Sequence, residues 1–227
     1  MTAAVPIPHY YLYGQLDDDE SAAVELDFVH VEPIAKRSGS YDWTIAPHSH
    51  PNHYQVLYVT AGGGSIDIED RRIPVDTPCL MSVPVGAIHQ IHFLPGTDGT
   101  VITASEPFVS QSSHGDARLM EATRLAGVFP LAGTGLDPAQ VASCFAELSR
   151  EFVFSAPGRR PAIMAHFITV LVALMRAQAF AAAPSQPADR SYALVLRYRD
   201  LVEQHFRAER GTEFYASALG VTPARLN

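Results

Sequence analysis

The sequence predicts an α+β fold in three parts: an N-terminal antiparallel β-barrel, a helical segment after it, and the start of a helix-turn-helix at the C-terminal end. Three observations support this prediction. Residues 25–105 consist of short β-type runs separated by Gly, Pro and Asp. Residues 110–185 change to helical patterns. The stretch 201–227 has the spacing of two helices joined by a glycine turn.

Six β-type runs make up the predicted barrel. Turn-forming clusters divide them at 62–64, 69–71 and 97–99. Short runs at regular spacing, without helical periodicity, predict an antiparallel sandwich or small barrel. The predicted strands are 25–31, 54–60, 65–69, 79–83, 89–94 and 100–105.

Three helices are predicted after the barrel. The first covers 113–126, and the second begins at Asp137-Pro138, a capping residue followed by a first-turn proline. The third, over 161–181, is apolar on nearly every side. A helix that is apolar all round must be buried all round, and one β-domain cannot cover it. We therefore predict that the helical pair forms the interface of a two-fold homodimer. A monomeric helix between two domains is the alternative.

These patterns divide the chain into four parts. Residues 1–109 form the barrel with an N-terminal arm, 110–183 the helical dimerisation segment, 184–190 a linker with Pro and Ser, and 191–227 the C-terminal helical segment. The arm is rich in tyrosine, which predicts either packing across a barrel edge or a lid over an occupied pocket.

Composition and hydropathy bound the class of protein. With 47% hydrophobic residues in 227, the chain is long enough to bury a large core. The longest apolar stretch, 162–183, is interrupted by His166, Arg176 and Gln178, so we do not expect a membrane span. The N-terminus lacks the pattern of a secretory signal, so the expected location is the cytoplasm. In that reducing compartment Cys79 and Cys144 are predicted to be buried free thiols.

The C-terminal segment has the pattern of two helices and the opening of a third. A helix over about 191–206 stops before Gly211, and Gly220 ends a second helix over 213–219. Thr212 is predicted to cap that second helix, and Thr222-Pro223 to open the third. The residues expected to be buried on the second helix are Phe214, Ala218 and Leu219.

The run Tyr215-Ala216-x-x-Leu219-Gly220-Val221-Thr222-Pro223-x-Arg225-Leu226-Asn227 resembles the front half of the first helix-turn-helix of AraC/XylS-type transcription regulators. The resemblance implies a DNA-binding role for Thr222 and Arg225. It also implies that most of a DNA-binding region of this kind lies outside the present sequence, so weak or no DNA binding is expected. The alternative is a helical hairpin that packs on the rest of the protein.

The charge distribution agrees with this division. Residues 190–227 contain six Arg and four acidic residues, a balance of +2, whereas residues 1–189 contain ten basic and twenty acidic residues, a balance of −10. DNA phosphate repels an acidic surface and attracts a basic one. The sequence therefore excludes the N-terminal region as the DNA-binding part.

Three histidines stand out in the β region. His48 and His50 are two residues apart, so on an extended segment they point to the same side, and a later strand carries His89. The segments Pro47-His48-x-His50 with Gln55, and Pro84-x-Gly86-x-x-His89, resemble the two motifs of cupins. The sequence departs from that pattern at Gln55, where metal-binding cupins usually have Glu, and at Phe93, where they usually have Asn.

These departures from the cupin pattern bear on whether the protein is an enzyme or a sensor. A metal-dependent cupin oxygenase would hold a divalent first-row metal through His48, His50, His89 and a carboxylate, and Gln55 supplies only a neutral oxygen. We therefore expect no enzyme activity and no cofactor. The alternative is an oxygenase that acts on a phenolic acid and holds a metal on the three histidines. The other reading of these histidines is as polar residues that line a pocket or the barrel mouth.

The order of features most resembles the PobR-like branch of AraC/XylS-type regulators, which responds to aromatic acids. The matching segments are Ile7-Pro8-x-Tyr10-x-Leu12-Tyr13-Gly14, Phe28–Ala35, Trp43 with Pro47-His48-x-His50, and Pro95-Gly96. This resemblance implies a small aromatic carboxylate as effector, 4-hydroxybenzoate or a related hydroxybenzoate. Such a ligand needs apolar walls for its ring and polar groups for its carboxylate and hydroxyl. The predicted effector-binding residues are Trp43, His48, His50, Gln55, Leu57, His89, Ile91 and Phe93.

Overall fold

The computed structural model describes residues 10–11, 14–15, 29–39, 42–153, 156–181, 194, 197–198, 201–202 and 204–226. By its internal contacts the chain forms two compact units, Met1–Ala181 and Ala182–Asn227. The predicted linker 184–190 lies outside the described residues, as do most of the N-terminal arm and the first part of the helix predicted over 191–206.

Among its described residues the first unit contains three antiparallel sheets. A five-stranded sheet has the order β11-β8-β5-β10-β3, a four-stranded sheet has the order β4-β9-β6-β7, and β1 pairs with β2. The two larger sheets form the walls of a flattened barrel. The strands are β1 Tyr10–Tyr11, β2 Gly14–Gln15, β3 Val29–Pro33, β4 Thr44–His48, β5 His53–Ala61, β6 Gly64–Ile68, β7 Arg71–Val75, β8 Cys79–Val83, β9 His89–Phe93, β10 Asp98–Ser105 and β11 Gly127–Pro130.

The described helices of the first unit are α1 Ile34–Ser38, α2 Glu106–Ser112, α3 Ala117–Arg124, α4 Pro138–Val153 and α5 Arg159–Ala181. The last four pack on the outer face of the five-stranded sheet, whereas α1 directly follows β3. One hydrophobic core joins Tyr54, Val56 and Ile102 of the sheet to Phe145 of α4 and Phe167 of α5. Burying these side chains removes apolar area from water, which stabilises the unit at about 25 cal/mol per Å².

The predicted strands are largely confirmed. The strands predicted over 54–60, 65–69, 79–83, 89–94 and 100–105 match β5, β6, β8, β9 and β10 within two residues at each end. The first predicted strand, 25–31, overlaps β3 at its end, and its earlier residues lie outside the described ones. The all-antiparallel pairing agrees with the one-sided alternation of β6.

Five strands, β1, β2, β4, β7 and β11, and two helices, α1 and α2, were not predicted. β4, β7 and β11 each contain a proline, which removes a backbone donor and weakens a strand signal. The helix predicted over 113–126 is confirmed as α3, which begins four residues later and ends two residues earlier than predicted. Gly115 has a φ of 100°, which interrupts a right-handed helix, and the Asp116 side chain then caps α3 by accepting from Arg118 N at 2.9 Å.

One glycine explains how β9 is held in the four-stranded sheet. Gly64 opens β6 with a φ of 143°, and a Cβ on it would lie 2.0 Å from the carbonyl oxygen of His92 on β9. Any larger residue would therefore push β6 away from β9. The close approach of these strands fixes the position of β9, which carries His89.

The second unit contains α6 Thr212–Leu219 and a 3-10 turn at Pro223–Arg225. Gly220 ends α6 with a φ of 68°, as the sequence indicates. The prediction that Thr212 caps α6 is wrong, because Thr212 is already helical and Gly211 occupies the capping position without a side-chain bond.

The predicted buried face of α6 is also partly wrong. Ala218 is exposed and Phe214 is half-buried, whereas Tyr215, Ala216 and Leu219 are buried. The Tyr215 hydroxyl donates to the carbonyl oxygen of Glu209 at 2.7 Å, which satisfies its polar end and allows the ring to be buried.

Among the described residues one helix, α5, is long and apolar enough by length and composition to cross a membrane, and 39% of its most apolar window is buried. Its buried side packs on the core of the first unit, which is how a long core helix reaches the same composition. The two cysteines differ: Cys144 is half-buried, and Cys79 is fully buried, where burial raises the pKa of its thiol to about 12.

Candidate functional site

A small cavity lies inside the barrel, between the two larger sheets. The four-stranded sheet contributes Ile45, His48, His89, Ile91 and Phe93, the five-stranded sheet contributes Gln55, Leu57 and Val101, and α1 contributes Ser38. Measured at the centres of water-sized spheres, the cavity volume is about 20 Å³. A single water needs about 10–15 Å³ on this measure. As it stands the cavity has room for a guest of the size of a water molecule or an ion.

Three histidine rings meet at this cavity. His48, His50 and His89 are each at most 2% exposed, and each offers one ring nitrogen to a group whose members all lie within 4.8 Å of one another. The ring centroids of His48 and His89 are 4.2 Å apart, and those of His48 and His50 are 4.8 Å apart. We call these three side chains the histidine cluster.

The strand register brings the cluster together. On β4 and β9, His48 pairs with His89 and Ile45 pairs with Ile91, so three steps along β4 match two along β9. The extra residue is a β-bulge at Ala46-Pro47. Because the bulge shifts the alternation by one, Ile45 and His48 both face the cavity although they are an odd number of residues apart.

Backbone carbonyls fix the tautomer of two rings in the cluster. His48 Nδ1 lies 2.8 Å from the carbonyl oxygen of Ala46, and His89 Nδ1 lies 3.0 Å from that of Ala87. A carbonyl oxygen only accepts hydrogen bonds, so Nδ1 carries the proton in both rings. In the neutral imidazole, Nε2 then carries the lone pair, which is the protonation state of a metal ligand or a proton acceptor.

Gln55 adds a neutral polar group to the cavity wall. It is 4% exposed, and its side-chain amide nitrogen donates to the Thr103 hydroxyl at 3.1 Å. None of the described residues that line the cavity is an Asp, Glu, Lys or Arg. Charge balance inside the barrel therefore depends on the imidazoles and on whatever binds there.

His53 lies near the site without lining the cavity. It shares one face of β5 with Gln55 and Leu57, it is 3% exposed, and neither of its ring nitrogens has a hydrogen-bond partner among the described residues. Burial lowers the pKa of His53 from its ordinary value of 6.5, because the low-dielectric surroundings disfavour the charged ring.

The structure places most of the predicted effector-binding residues together. His48, Gln55, Leu57, His89, Ile91 and Phe93 line the cavity, and the ring of His50 is in the cluster. Trp43 is half-buried and does not line the cavity. It precedes β4 with a φ of 59°, so the strand alternation that aims Ile45 inward does not extend back to Trp43.

Three cavity residues were missed by sequence reasoning. Ile45 lies in a segment in which Pro47 is typical of a loop and not of a strand. Val101 lies opposite Leu57 in the β5–β10 register. Ser38 reaches the cavity from the end of α1. Only Ile45 had a signal in the sequence, the β-branched Thr44-Ile45 pair, because the other two depend on the pairing of distant segments.

In the second unit, Thr222 and Arg225 are both exposed. Thr222 precedes the 3-10 turn without a side-chain capping bond, and Pro223 occupies the first position of that turn. The opening of a third helical turn at Pro223 is confirmed, as a 3-10 turn of three residues.

The fold and the cavity define a class first: a cupin-like β-barrel with a partly polar interior and helices packed on one sheet. A family model described as the AraC-like ligand binding domain matches residues 30–186. Because that match covers more than half of the chain, the protein belongs to this family. No curated protein sequence matches it significantly.

The solved structures to which this chain is similar are distant. The AraC-like transcriptional activator CuxR is 14% identical with a TM-score of 0.39, over 87% of this chain and 65% of the CuxR chain. ToxT from Vibrio cholerae is 7% identical with a TM-score of 0.40, over 86% of this chain and 72% of its own. A cupin protein from Bacteroides fragilis is 16% identical with a TM-score of 0.26, over 34% of this chain and 63% of its own. This chain thus spans less than two thirds of the length of CuxR, and likenesses at this level say nothing about ligands or partners.

The burial of His53 predicts a pH-dependent stability. Because its pKa is lowered in the folded state, the unfolded chain takes up a proton near pH 6.5 that the folded chain does not. The unfolding free energy should therefore fall as the pH drops from about 7.5 to 5.5, by at most about 1.4 kcal/mol per pH unit from this residue. His53→Leu should reduce that fall, measured by urea denaturation at each pH.

The control is His114→Leu, because His114 is exposed and meets water in both states. This variant should keep the pH dependence of the wild type. An equal reduction in both variants, or none in His53→Leu, would show that the burial of His53 does not set the pH dependence.

Proposed function

We propose that this chain is the sensor part of a cytoplasmic, ligand-responsive transcription regulator, whose barrel binds a small aromatic acid and controls DNA binding by a C-terminal helix-turn-helix. The observation that carries the proposal is the buried polar group set inside the barrel. His48, His89 and Gln55 line the cavity together with Ile45, Leu57, Ile91, Phe93 and Val101, and the ring of His50 lies against those of His48 and His89. An apolar cavity with a few convergent polar groups is the usual form of a small-molecule binding site, which supports a ligand in this barrel.

The chemistry of the cavity suits a carboxylate attached to a flat apolar ring. The aliphatic and aromatic walls offer the contacts that a ring needs, and the imidazoles can donate to an anion once Nε2 is protonated. A bound carboxylate would favour the charged imidazole and so supply part of its own binding energy. We propose 4-hydroxybenzoate or a related hydroxybenzoate as the effector.

The volume of the cavity sets a condition on this proposal. A cavity of about 20 Å³ admits a water-sized guest and no aromatic ring. The effector must therefore bind a more open form of the barrel, in which side chains such as Leu57 or Phe93 move aside. An acid that binds only the open form shifts the population toward it, which is the kind of differential binding that a regulator needs.

The C-terminal unit supplies the proposed output. Thr222 and Arg225 are exposed beside the turn after α6, where the side chains that contact DNA would begin in a helix-turn-helix. The net charge of +2 over 190–227, against −10 over the rest, supports a role for this segment next to phosphate. In the intact regulator, effector binding would bias how two such segments are presented.

Effector binding should depend on Gln55. In thermal-shift and calorimetric titrations, 4-hydroxybenzoate should bind the wild-type chain, and at about 100 times its Kd it should add about 2.7 kcal/mol of stability. Gln55→Leu keeps the size of the side chain but removes a hydrogen bond to a charged ligand. It should weaken binding about 10- to 100-fold.

The matched control is Gln90→Leu, because Gln90 lies on β9 and does not line the cavity. That variant should bind the acid as the wild type does. A panel of hydroxybenzoates and hydroxyphenylacetates that gives no shift in any variant would contradict the proposal. Consumption of oxygen and a phenolic acid by metal-loaded protein would instead favour the oxygenase.

A homodimer is the second part of this proposal, and α5 is its proposed interface. Met164, Ile168, Val172 and Met175 form one stripe along this helix, and each stays only partly buried although the opposite side lies in the core. An apolar stripe of this length on a soluble protein is typical of a protein–protein contact. A second copy that packs the same stripe would bury it in a two-fold arrangement.

Charge on this stripe should break the dimer. Ile168→Lys should convert a dimer into a monomer in analytical ultracentrifugation, with a loss of association of at least about 100-fold, because it buries an unpaired charge. Ser143→Lys, on an exposed position of α4, should remain dimeric. A wild-type chain that stays monomeric at high concentration would contradict this interface.

A further inference from the structure

We propose that the connection between β3 and β4 is the entrance through which the effector reaches the barrel interior, and that it opens at Asp42 and Trp43 while the sheets stay paired. We call its described residues, 34–39 and 42–43, the entrance segment. The inference rests on the proposed function for its ligand, and it identifies the part of the molecule that moves to give the open form.

The strands that line the cavity are held by their neighbours. β5, β9 and β10 each pair with a strand on both sides, so moving one of them outward would break two ladders of backbone hydrogen bonds. Of the described residues that line the cavity, Ser38 alone does not lie on a strand. The wall of the cavity can therefore open at Ser38 without breaking a sheet.

The entrance segment connects the two walls of the barrel and is fixed at its start. It follows β3 of the five-stranded sheet and leads to β4 of the four-stranded sheet. Ile34 is fully buried, and its Cδ1 lies 2.8 Å from the point that a Cβ on Gly99 of β10 would occupy. The helix in between, α1, has five residues and no side-chain cap, and a helix this short depends on the contacts at its ends.

Two backbone hydrogen bonds hold the other end of the entrance segment. Trp43 N donates to the carbonyl oxygen of Ser38 at 2.8 Å, and Phe93 N of β9 donates to the carbonyl oxygen of Trp43 at 2.8 Å. Ser38 and Phe93 both line the cavity. Breaking the first bond would free Ser38 to leave the cavity wall and give the side chain of Phe93 room to move aside, while the second bond keeps β4 next to β9.

The backbone at this end is strained in the observed form. Asp42 and Trp43 are both in the left-handed region, with φ of 51° and 59°. Residues with a Cβ adopt this region at a cost that tertiary contacts must offset, and such strain is often found at ligand clamps and switches. An open form in which these two residues leave the left-handed region would release the strain, which offsets part of the cost of breaking the bond.

Two substitutions at Asp42 should have opposite effects on the entry of the effector. Asp42 is exposed, so replacing it leaves the core intact. Asp42→Gly should favour the observed form, because glycine adopts positive φ freely, and Asp42→Val should favour the open form, because a β-branched residue does not. The association rate constant of 4-hydroxybenzoate should fall about 3- to 10-fold in Asp42→Gly and rise by a similar factor in Asp42→Val. Stopped-flow fluorescence measures it, since Trp43 is the single tryptophan of the sequence.

Glu69 provides a matched control. It also has a positive φ, 54°, and is exposed, but it lies in the turn between β6 and β7 and does not line the cavity. Glu69→Gly and Glu69→Val should change the free energy of unfolding in the same directions as the Asp42 substitutions. Because the two sites are independent, they should leave the association rate of the acid within about twofold of the wild type.

Amide hydrogen exchange in the ligand-free chain tests the opening itself. The Trp43 N–H should exchange faster than buried amides of β5 such as that of Val56, because local opening requires less free energy than unfolding of the sheet. Its exchange should slow about 3- to 10-fold in Asp42→Gly and accelerate by a similar factor in Asp42→Val, for the same reason as the association rate.

The outcomes are distinguishable. Binding of the acid at rates that neither Asp42 substitution changes, or that the Glu69 substitutions change equally, would overturn the entrance and leave the proposed effector intact. Exchange of the Trp43 N–H that is the same in both Asp42 variants would overturn the opening. A chain that binds none of the aromatic acids, but whose Trp43 exchange responds to Asp42 as expected, would contradict the proposed function and support the opening of the entrance segment.

Discussion

The pairing of β4 with β9 determines the chemistry of the barrel interior. Through the bulge at Ala46-Pro47 it sets His48 opposite His89, and each ring is held by the backbone carbonyl two residues earlier in the chain. Without the bulge, the alternation of β4 would turn His48 outward while Ile45 faced the cavity. The close approach of Gly64 to His92 holds β9 in its place from the other side. A small backbone irregularity therefore decides that imidazole nitrogens, and not aliphatic side chains, meet inside the barrel.

The resulting barrel interior combines apolar and polar side chains. Five apolar side chains surround four buried polar ones, and none of the described lining residues carries a formal negative charge. Such an arrangement costs stability, which the large core between the five-stranded sheet and the helices can provide. The two faces of the five-stranded sheet thus have different roles: the outer face stabilises the unit, and the inner face can hold a ligand. Membership of the AraC-like ligand-binding family agrees with this division.

Much of the fold could be predicted from the sequence, because alternation and turn residues mark strands locally. β5, β8 and β10 were found in this way, and Gly220 marked the end of α6. β4 was not found, because Pro47 is typical of a loop. In the structure this proline lies in the β-bulge of the strand. α2 was not found, because it follows β10 directly, with no loop between Ser105 and Glu106 to mark its start.

The candidate site could be predicted in part for the same reasons. The three histidines were recognisable by their spacing, and Gln55, Leu57, Ile91 and Phe93 by alternation on strands already found. Val101 and Ser38 could not be found, because their place beside Leu57 and the cluster depends on the register of distant segments. The small volume of the cavity could not be predicted either, because it depends on how tightly the two sheets pack and not on any local pattern.

Histidine-selective nitrogen NMR tests the central claim most directly, because it observes the ring nitrogens themselves. If the barrel interior receives an aromatic acid, 4-hydroxybenzoate should shift the ring resonances of His48, His50 and His89 in a saturable way and leave those of His92 and His114 unchanged. Resonances of the three buried rings that stay fixed at saturating acid, or that move no more than those of the two outer histidines, would contradict the account.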